Sequence, residues 1–117
     1  MKLYAFDIDE TLEISRGPVT LRMMEELREQ GHIVGLCGNW GFFCQAVPDW
    51  YKRISVIVNL GTPKDWAMKH FMTYVHVDEF ILVGNELNVT GASDDKGSAE
   101  RAGWRFIRED AFAAGAR

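Results

Sequence analysis

Apolar and polar residues follow each other along the chain in two patterns, one typical of buried strands and one of amphipathic helices. Residues 3–8 form an almost continuous apolar run that ends in acidic residues, which predicts a central strand covered on both faces. Over residues 19–30 the apolar side chains fall on one helical stripe, and Gly31 follows as a stop signal. The chain is therefore predicted to open with a buried strand and a surface helix.

The same alternation continues towards the C-terminus. β-Rich runs predict further strands at 32–37, 54–58, 80–83 and 104–107. Helical patterns predict helices at 42–50, with a break at Pro48, at 62–74 and at 93–102. For the helix at 62–74, Thr62 is the predicted cap, Pro63 the first helical residue and Asp65 a capping-box acid. The Ala/Gly tail at 111–117 is expected to fray.

The resulting order, β-α-β-α-β-α-β-α-β, favours an α/β fold with a parallel sheet and right-handed crossovers. Five strands would form the central layer of a three-layer sandwich, with helices on both faces. The sequence contains no repeat or linker that would divide residues 1–117, so a single domain is expected. In open parallel sheets, ligands bind beyond the carboxyl ends of the strands, and candidate chemistry is therefore expected there.

Composition narrows the function classes. The 117 residues are 47% apolar and carry a formal charge of -4, which provides no basic surface for a general nucleic-acid binder. No apolar stretch approaches the roughly 18 residues of a membrane span, and Asp7 interrupts the first apolar run before it could serve as a signal peptide. A cytoplasmic protein is therefore expected, with reduced thiols at Cys37 and Cys44.

Two carboxylates, Asp7 and Asp9, leave the end of the predicted first strand two residues apart. A DxD pair on an unknown chain is often only an acid-rich turn. Behind a buried strand, however, paired carboxylates favour a hard divalent cation such as Mg²⁺, which balances their charge.

With Asp7-Ile8-Asp9-Glu10-Thr11 at that strand end, the sequence resembles the haloacid dehalogenase-like (HAD) hydrolase superfamily, whose first motif is DxDxT/V. The resemblance covers nearly the whole chain and implies a Rossmann-like fold. It implies that Asp7 is the nucleophile that forms an aspartyl-phosphate and that Asp9 is the general acid and base. Thr11 belongs to the same motif and is assigned to substrate binding, and Mg²⁺ is the implied cofactor.

The second family motif is a Thr or Ser at the end of the next strand, and here Cys37-Gly38-Asn39 stands in its place. A thiol is a weak hydrogen-bond donor. The backbone N–H groups of Gly38 and Asn39, or the Asn39 amide, would then supply more of the phosphate cradle. The alternative interpretation is that Cys37 is a small buried apolar residue.

The third motif is a Lys at the start of a helix, and Lys64 matches it, although it could instead be a solvated lysine paired with Asp65. The fourth motif is acidic and completes the Mg²⁺ site, but Asn85 stands where the family has Asp. The resemblance therefore implies Asp7, Asp9, Asn85 and Asp94 as metal ligands.

The fourth motif leaves alternatives open, because Glu86 or Asp95 could complete the metal site instead of Asp94. Asp94 and Asp95 could also simply complement a helix dipole behind a Ser93 N-cap.

These assignments predict an Mg²⁺-dependent phosphomonoester hydrolase that acts on a phosphorylated substrate. No gap in the predicted elements is long enough for a lid, so the resemblance implies a member without a cap domain. The aromatic content leaves room for a homo-oligomeric interface. The replacements at Cys37 and Asn85 motivate an alternative, an inactive module that binds a phosphorylated ligand or a protein partner.

Overall fold

The computed structural model describes residues 1–58 and 63–117. Their strands are β1 Lys2–Phe6, β2 Ile33–Leu36, β3 Val56–Ile57, β4 Glu79–Gly84 and β5 Arg105–Arg108. Their α-helices are α1 Leu21–Glu29, α2 Trp40–Ala46, α3 Lys64–Phe71, α4 Asp95–Ala102 and α5 Glu109–Ala113. No helix of the described residues exceeds nine residues, and none has the length and hydrophobicity that a membrane span needs.

The sheet has the order β3-β2-β1-β4-β5, and every neighbouring pair of strands is parallel. Helices flank it, which confirms the predicted α/β fold, a Rossmann-like sandwich of three layers around a five-stranded sheet. Because β1 lies in the middle, its two faces are both covered: Tyr4 and Phe6 belong to one core cluster, and Leu3 and Ala5 to the other. The prediction of a central strand buried on both faces is therefore confirmed.

The loop between β1 and α1 holds only a short 3-10 turn at Glu13–Ser15, closed by a parallel bridge between Leu12 and Val19. Residues 58–63 connect β3 to α3, which is too short a segment for a domain. Neither connection is long enough to hold a separate domain.

Several predicted helix ends differ from the structure. α1 begins at Leu21 because the Thr20 side chain accepts the Met23 N–H and caps it. α2 spans Trp40–Ala46 instead of 42–50, since Val47 precedes a proline and takes an extended conformation.

The start of α3 also differs, because Pro63 is its N-cap rather than its first helical residue. The predicted cap at Thr62 lies outside the described residues. The prediction that 111–117 would fray is wrong for its first part. Phe112 in α5 is fully buried, and its ring packs edge-on against Phe6 at a centroid distance of 5.2 Å. A terminal segment held by a buried aromatic side chain does not fray freely.

Candidate active site at the strand ends

Three strands deliver the candidate residues to one edge of the sheet. Asp7 follows β1, Cys37-Gly38-Asn39 follows β2, and Asn85 follows β4. Since β1 is parallel to both β2 and β4 and lies between them, these residues share the carboxyl edge. Lys64, the first residue of α3, reaches the same edge from the helix that follows β3 along the chain.

Lys64 joins two buried carboxylates. Its Nζ lies 2.6 Å from Asp95 Oδ1 and 3.4 Å from Asp7 Oδ1. The side chains of Asp7 and Asp95 are only 4% and 1% exposed, so both ion pairs are shielded from water. Asp65, the partner that an ordinary surface lysine would have taken, pairs with Arg101 instead. This arrangement supports the interpretation of Lys64 as a site residue.

The electrostatics of this cluster favour an added positive charge. Burial raises the pKa of the Asp7 carboxyl to about 7, against the lowering effect of Lys64 and with a further rise from the nearby Asp95 charge. Burial alone would lower the pKa of Lys64, but the charges of Asp7 and Asp95 raise it above its ordinary value. With one ammonium for two carboxylates, a cation that approached Asp7 would be attracted and would favour its ionised form.

Asp9 lies at the exposed side of the same edge. Its Oδ1 accepts a hydrogen bond of 3.3 Å from Asn39 Nδ2, so the loops after β1 and β2 are joined at this point. The Asn39 amide, a predicted phosphate ligand, contacts Asp9 in the structure.

The loop after β2 is packed tightly against Asp7. Gly38 has φ +143°, and a Cβ at this position would lie 2.5 Å from Asp7 Oδ1, so no larger residue fits without displacement. Cys37 is fully buried in a core cluster with Val58 and Met68, and burial raises the pKa of its thiol to about 12. A neutral, buried thiol agrees with the interpretation of Cys37 as a small apolar residue.

Thr11 is fully buried, and within the described residues its Oγ1 has no hydrogen-bond partner. The same holds for one oxygen each of Asp7 and Asn85, namely Oδ2 and Oδ1. Buried polar atoms without a partner cost free energy, and they mark places where a ligand, ion or water completes the structure. All three lie in the predicted site motifs.

The two neighbouring acids at the start of α4 face different ways. Asp94 is the N-cap of α4, since its Oδ1 accepts the Gly97 N–H at 3.1 Å, and its other oxygen lies 3.6 Å from Arg101. Asp95, by contrast, accepts the Asn85 N–H on Oδ2 at 2.8 Å while its Oδ1 contacts Lys64. The structure therefore brings Asp95 and not Asp94 to the cluster, and Asp94 takes the capping role that had been predicted for Ser93.

One buried acid beside the site was not singled out in the sequence. Glu109 follows β5 directly, is 3% exposed, and accepts a hydrogen bond of 3.0 Å from Asn85 Nδ2. The signal that could have identified it is the rule already applied to Asp7 and Asn85. A polar residue directly after a buried parallel strand lies at the ligand-binding edge.

The donor atoms can be tested against the magnesium ion that the resemblance implies. Within the described residues, no three His, Cys, Asp or Glu side chains form a metal-binding group. The orphaned oxygens Asp7 Oδ2 and Asn85 Oδ1 are nevertheless a carboxylate and an amide oxygen. These are ligands that Mg²⁺ accepts, and this ion keeps several waters and needs only one or two protein groups. The donor chemistry of these two oxygens therefore fits a divalent cation.

Comparisons with family models, with curated proteins and with solved structures found no match to this chain. The case for its function therefore depends on the geometry of the strand-end cluster.

Proposed function

We propose that this protein is an Mg²⁺-dependent phosphomonoester hydrolase of the HAD type. The observation that carries the proposal is the buried contact of Asp7 with Lys64, 3.4 Å apart at the end of the central strand. A nucleophilic carboxylate needs a cation beside it to receive a phosphoryl group without charge repulsion, and the Lys64 ammonium supplies one. The DxDxT sequence and the fold support the same assignment.

In the proposed reaction, a carboxylate oxygen of Asp7 attacks the phosphorus atom of the substrate. The bond from phosphorus to the ester oxygen breaks, and Asp9 donates a proton to the departing alcohol, which leaves an aspartyl-phosphate. A water molecule then attacks the same phosphorus atom and gives a proton to Asp9, and the bond between phosphorus and the Asp7 oxygen breaks. Inorganic phosphate departs, and Asp7 and Asp9 return to their starting states.

The remaining residues hold charge in place during both steps. Lys64 offsets the negative charge of the phosphoryl oxygens, and Asp95 fixes its ammonium through the 2.6 Å ion pair. Asp7 and Asn85 would bind Mg²⁺ through their unpaired oxygens, and Asp9 is a further predicted ligand. When bound, Mg²⁺ would supply Lewis-acid stabilisation of the phosphoryl oxygens and would favour ionised Asp7.

Replacing the proposed nucleophile tests this function. Asp7→Asn should abolish release of phosphate from an aryl phosphate and from a panel of metabolite phosphates in Mg²⁺. A loss of about a thousandfold or more is expected, because no other group can take over the covalent step. The matched control is Asp49→Asn, a half-exposed acid that pairs with Arg53, and it should keep wild-type rates.

Two results would contradict the proposal. Full activity in a folded Asp7→Asn variant would exclude Asp7 as the nucleophile. A wild-type protein that releases no phosphate from any substrate, yet binds a phosphorylated ligand, would favour the non-catalytic alternative. The specific observations behind that alternative are the buried neutral thiol of Cys37 and the uncharged Asn85.

The substrate and partners stay open within this proposal. A site without a cap suits a large phosphorylated substrate, or a second copy of the chain that covers the entrance. Several large apolar side chains are solvent-exposed and available for such an interface, among them Trp40, Phe42, Trp66 and Tyr74. The cytoplasmic location stays a prediction from the sequence.

A further inference from the structure

Glu109 is a buried acid beside the site that the proposed reaction does not use. It is the first residue of α5, and only 3% of it is exposed. Its neighbour Arg108 pairs with Glu86 and Asp110 rather than with Glu109. Within the described residues Glu109 forms no ion pair, and its carboxylate is instead stabilised by the Thr90 hydroxyl and by the amide of Asn85. A buried negative charge without a cation needs another source of stabilisation.

The contact fixes which way the Asn85 amide points. An ionised carboxylate only accepts hydrogen bonds, so the nitrogen of Asn85 must face Glu109 Oε2, 3.0 Å away. The carbonyl oxygen of Glu10 is a second acceptor for the same nitrogen at 3.5 Å. The amide oxygen therefore lies on the other side, where it is buried and has no partner among the described residues. Gly91 packs closely enough that a Cβ there would lie 2.7 Å from Asn85 Cγ, which leaves the side chain little room to turn.

Asn85 is also tied to the catalytic cluster through its backbone. Its N–H donates to Asp95 Oδ2, and the other oxygen of Asp95 contacts Lys64. A charge placed behind the Asn85 side chain would therefore act on the same edge of the sheet as Asp7. Because Glu109 is buried, dissolved salt would screen its charge less than it screens a charge on the surface.

We propose that Glu109 is a positioning residue for a divalent cation at the end of β4. Its carboxylate turns the Asn85 oxygen towards the cation, and it supplies from behind the negative charge that the neutral amide lacks. The inference rests on the proposed function. Asn85 and Glu109 together would bind the cation and balance its charge, which a single Asp at position 85 would otherwise do. Outer-sphere carboxylates act in this way on metal ligands in general, through hydrogen bonding and charge.

This assignment explains why position 85 carries Asn rather than Asp. An Asp there would set two carboxylates about as far apart as the present 3.0 Å contact between Asn85 and Glu109, and the two would repel each other. Asn85→Asp alone should therefore lower the melting temperature in EDTA. Adding Glu109→Gln should restore the melting temperature, because the Gln amide can donate to the new carboxylate.

Mg²⁺ binding tests the proposal without any assay of activity. The association constant for Mg²⁺ is measured by calorimetry for the wild type, Glu109→Gln, Asn85→Asp/Glu109→Gln and the control Glu100→Gln, which removes a charge from the exposed face of α4. Glu109→Gln should weaken binding by about 10-fold to 100-fold, as is typical when an outer-sphere partner of a metal ligand is lost. The double variant should bind Mg²⁺ at least as tightly as the wild type. Glu100→Gln should bind Mg²⁺ with wild-type affinity.

Equal Mg²⁺ affinity in folded Glu109→Gln and wild type would overturn the proposal, as would wild-type protein that binds no Mg²⁺. If Glu109→Gln does not fold, NMR of the wild type decides. The side-chain NH₂ signals of Asn85 should shift when Mg²⁺ is added, and unchanged signals would again overturn the proposal. The phosphate-release assay of Asp7→Asn judges the hydrolase separately, so the two failures can be told apart.

Discussion

The ionisation of Asp7 opposes folding in the absence of metal. Burial raises the pKa of this carboxyl from 3.8 to about 7, so between these pH values the folded protein holds a proton that the unfolded chain has lost. The free energy of unfolding therefore falls as the pH rises through this window. The slope contributed by Asp7 is at most about 1.4 kcal/mol for each pH unit.

The Asp7→Asn variant removes this titration, because its side chain does not ionise, whereas the Lys64 and Asp95 side chains are kept. Relative to this variant, metal-free wild-type protein should lose stability steadily from about pH 4 to about pH 7. Urea unfolding in EDTA at four pH values measures the difference. Parallel stability curves for the two proteins would show that the Asp7 carboxyl is not perturbed in this way. Saturating Mg²⁺ should reduce the loss, since a cation favours the ionised form.

At the scale of one element, the loop between β2 and α2 and the first turn of α2 each hold one glycine, and the two glycines are under different constraints. Gly38 combines φ +143° with a virtual Cβ 2.5 Å from Asp7 Oδ1, whereas a Cβ on Gly41, inside α2, meets nothing within 4 Å. Gly38→Ala should therefore displace the Asp7 side chain, destabilise the fold by roughly 1–3 kcal/mol and reduce phosphate release.

The matched control is Gly41→Ala. It should keep the fold and raise stability by up to about 1 kcal/mol, because alanine loses less backbone entropy in a helix. Thermal unfolding and phosphate release of both variants provide the comparison. Similar effects of the two substitutions would mean that the loop does not constrain Asp7.

At the scale of the whole molecule, the sheet joins two core layers into one unit. The radius of gyration of 12.7 Å is close to the roughly 13 Å expected for a folded domain of this length. Trp50 packs against the core cluster on one face of the sheet, and Trp104 is buried in the cluster on the other. Every strand contributes side chains to both clusters, so the two layers share one sheet.

Unfolding should therefore be a single transition. In a Trp40→Phe/Trp66→Phe background, adding Trp50→Phe leaves Trp104 as the remaining tryptophan, and adding Trp104→Phe leaves Trp50, so that each variant reports on one layer. For each variant the fluorescence midpoint in urea should coincide with the midpoint from far-UV circular dichroism. Midpoints that separate in either variant would contradict a single cooperative domain.

Local patterns predicted most of this fold because burial on both faces leaves a continuous apolar run, as in β1. They also predicted Asp7 and Asn85 at one edge, since the carboxyl ends of parallel strands meet there. Helix ends were less certain. Whether Ser93 or Asp94 caps α4 depends on small differences in local hydrogen bonding, and both residue types are good caps.

The sequence by itself determined the order of the elements, the parallel sheet and the strand ends that carry the acidic motifs. These follow from hydrophobic periodicity, which depends only on neighbours along the chain. Only the tertiary structure decided that Asp95 rather than Asp94 meets Lys64, that Glu109 lies behind Asn85, and that Phe112 anchors the C-terminal helix. These contacts join residues far apart in sequence, so local patterns do not determine them. At the start of α4, neighbouring residues face different ways, so Asp95 forms a buried ion pair while Asp94 forms a solvated cap.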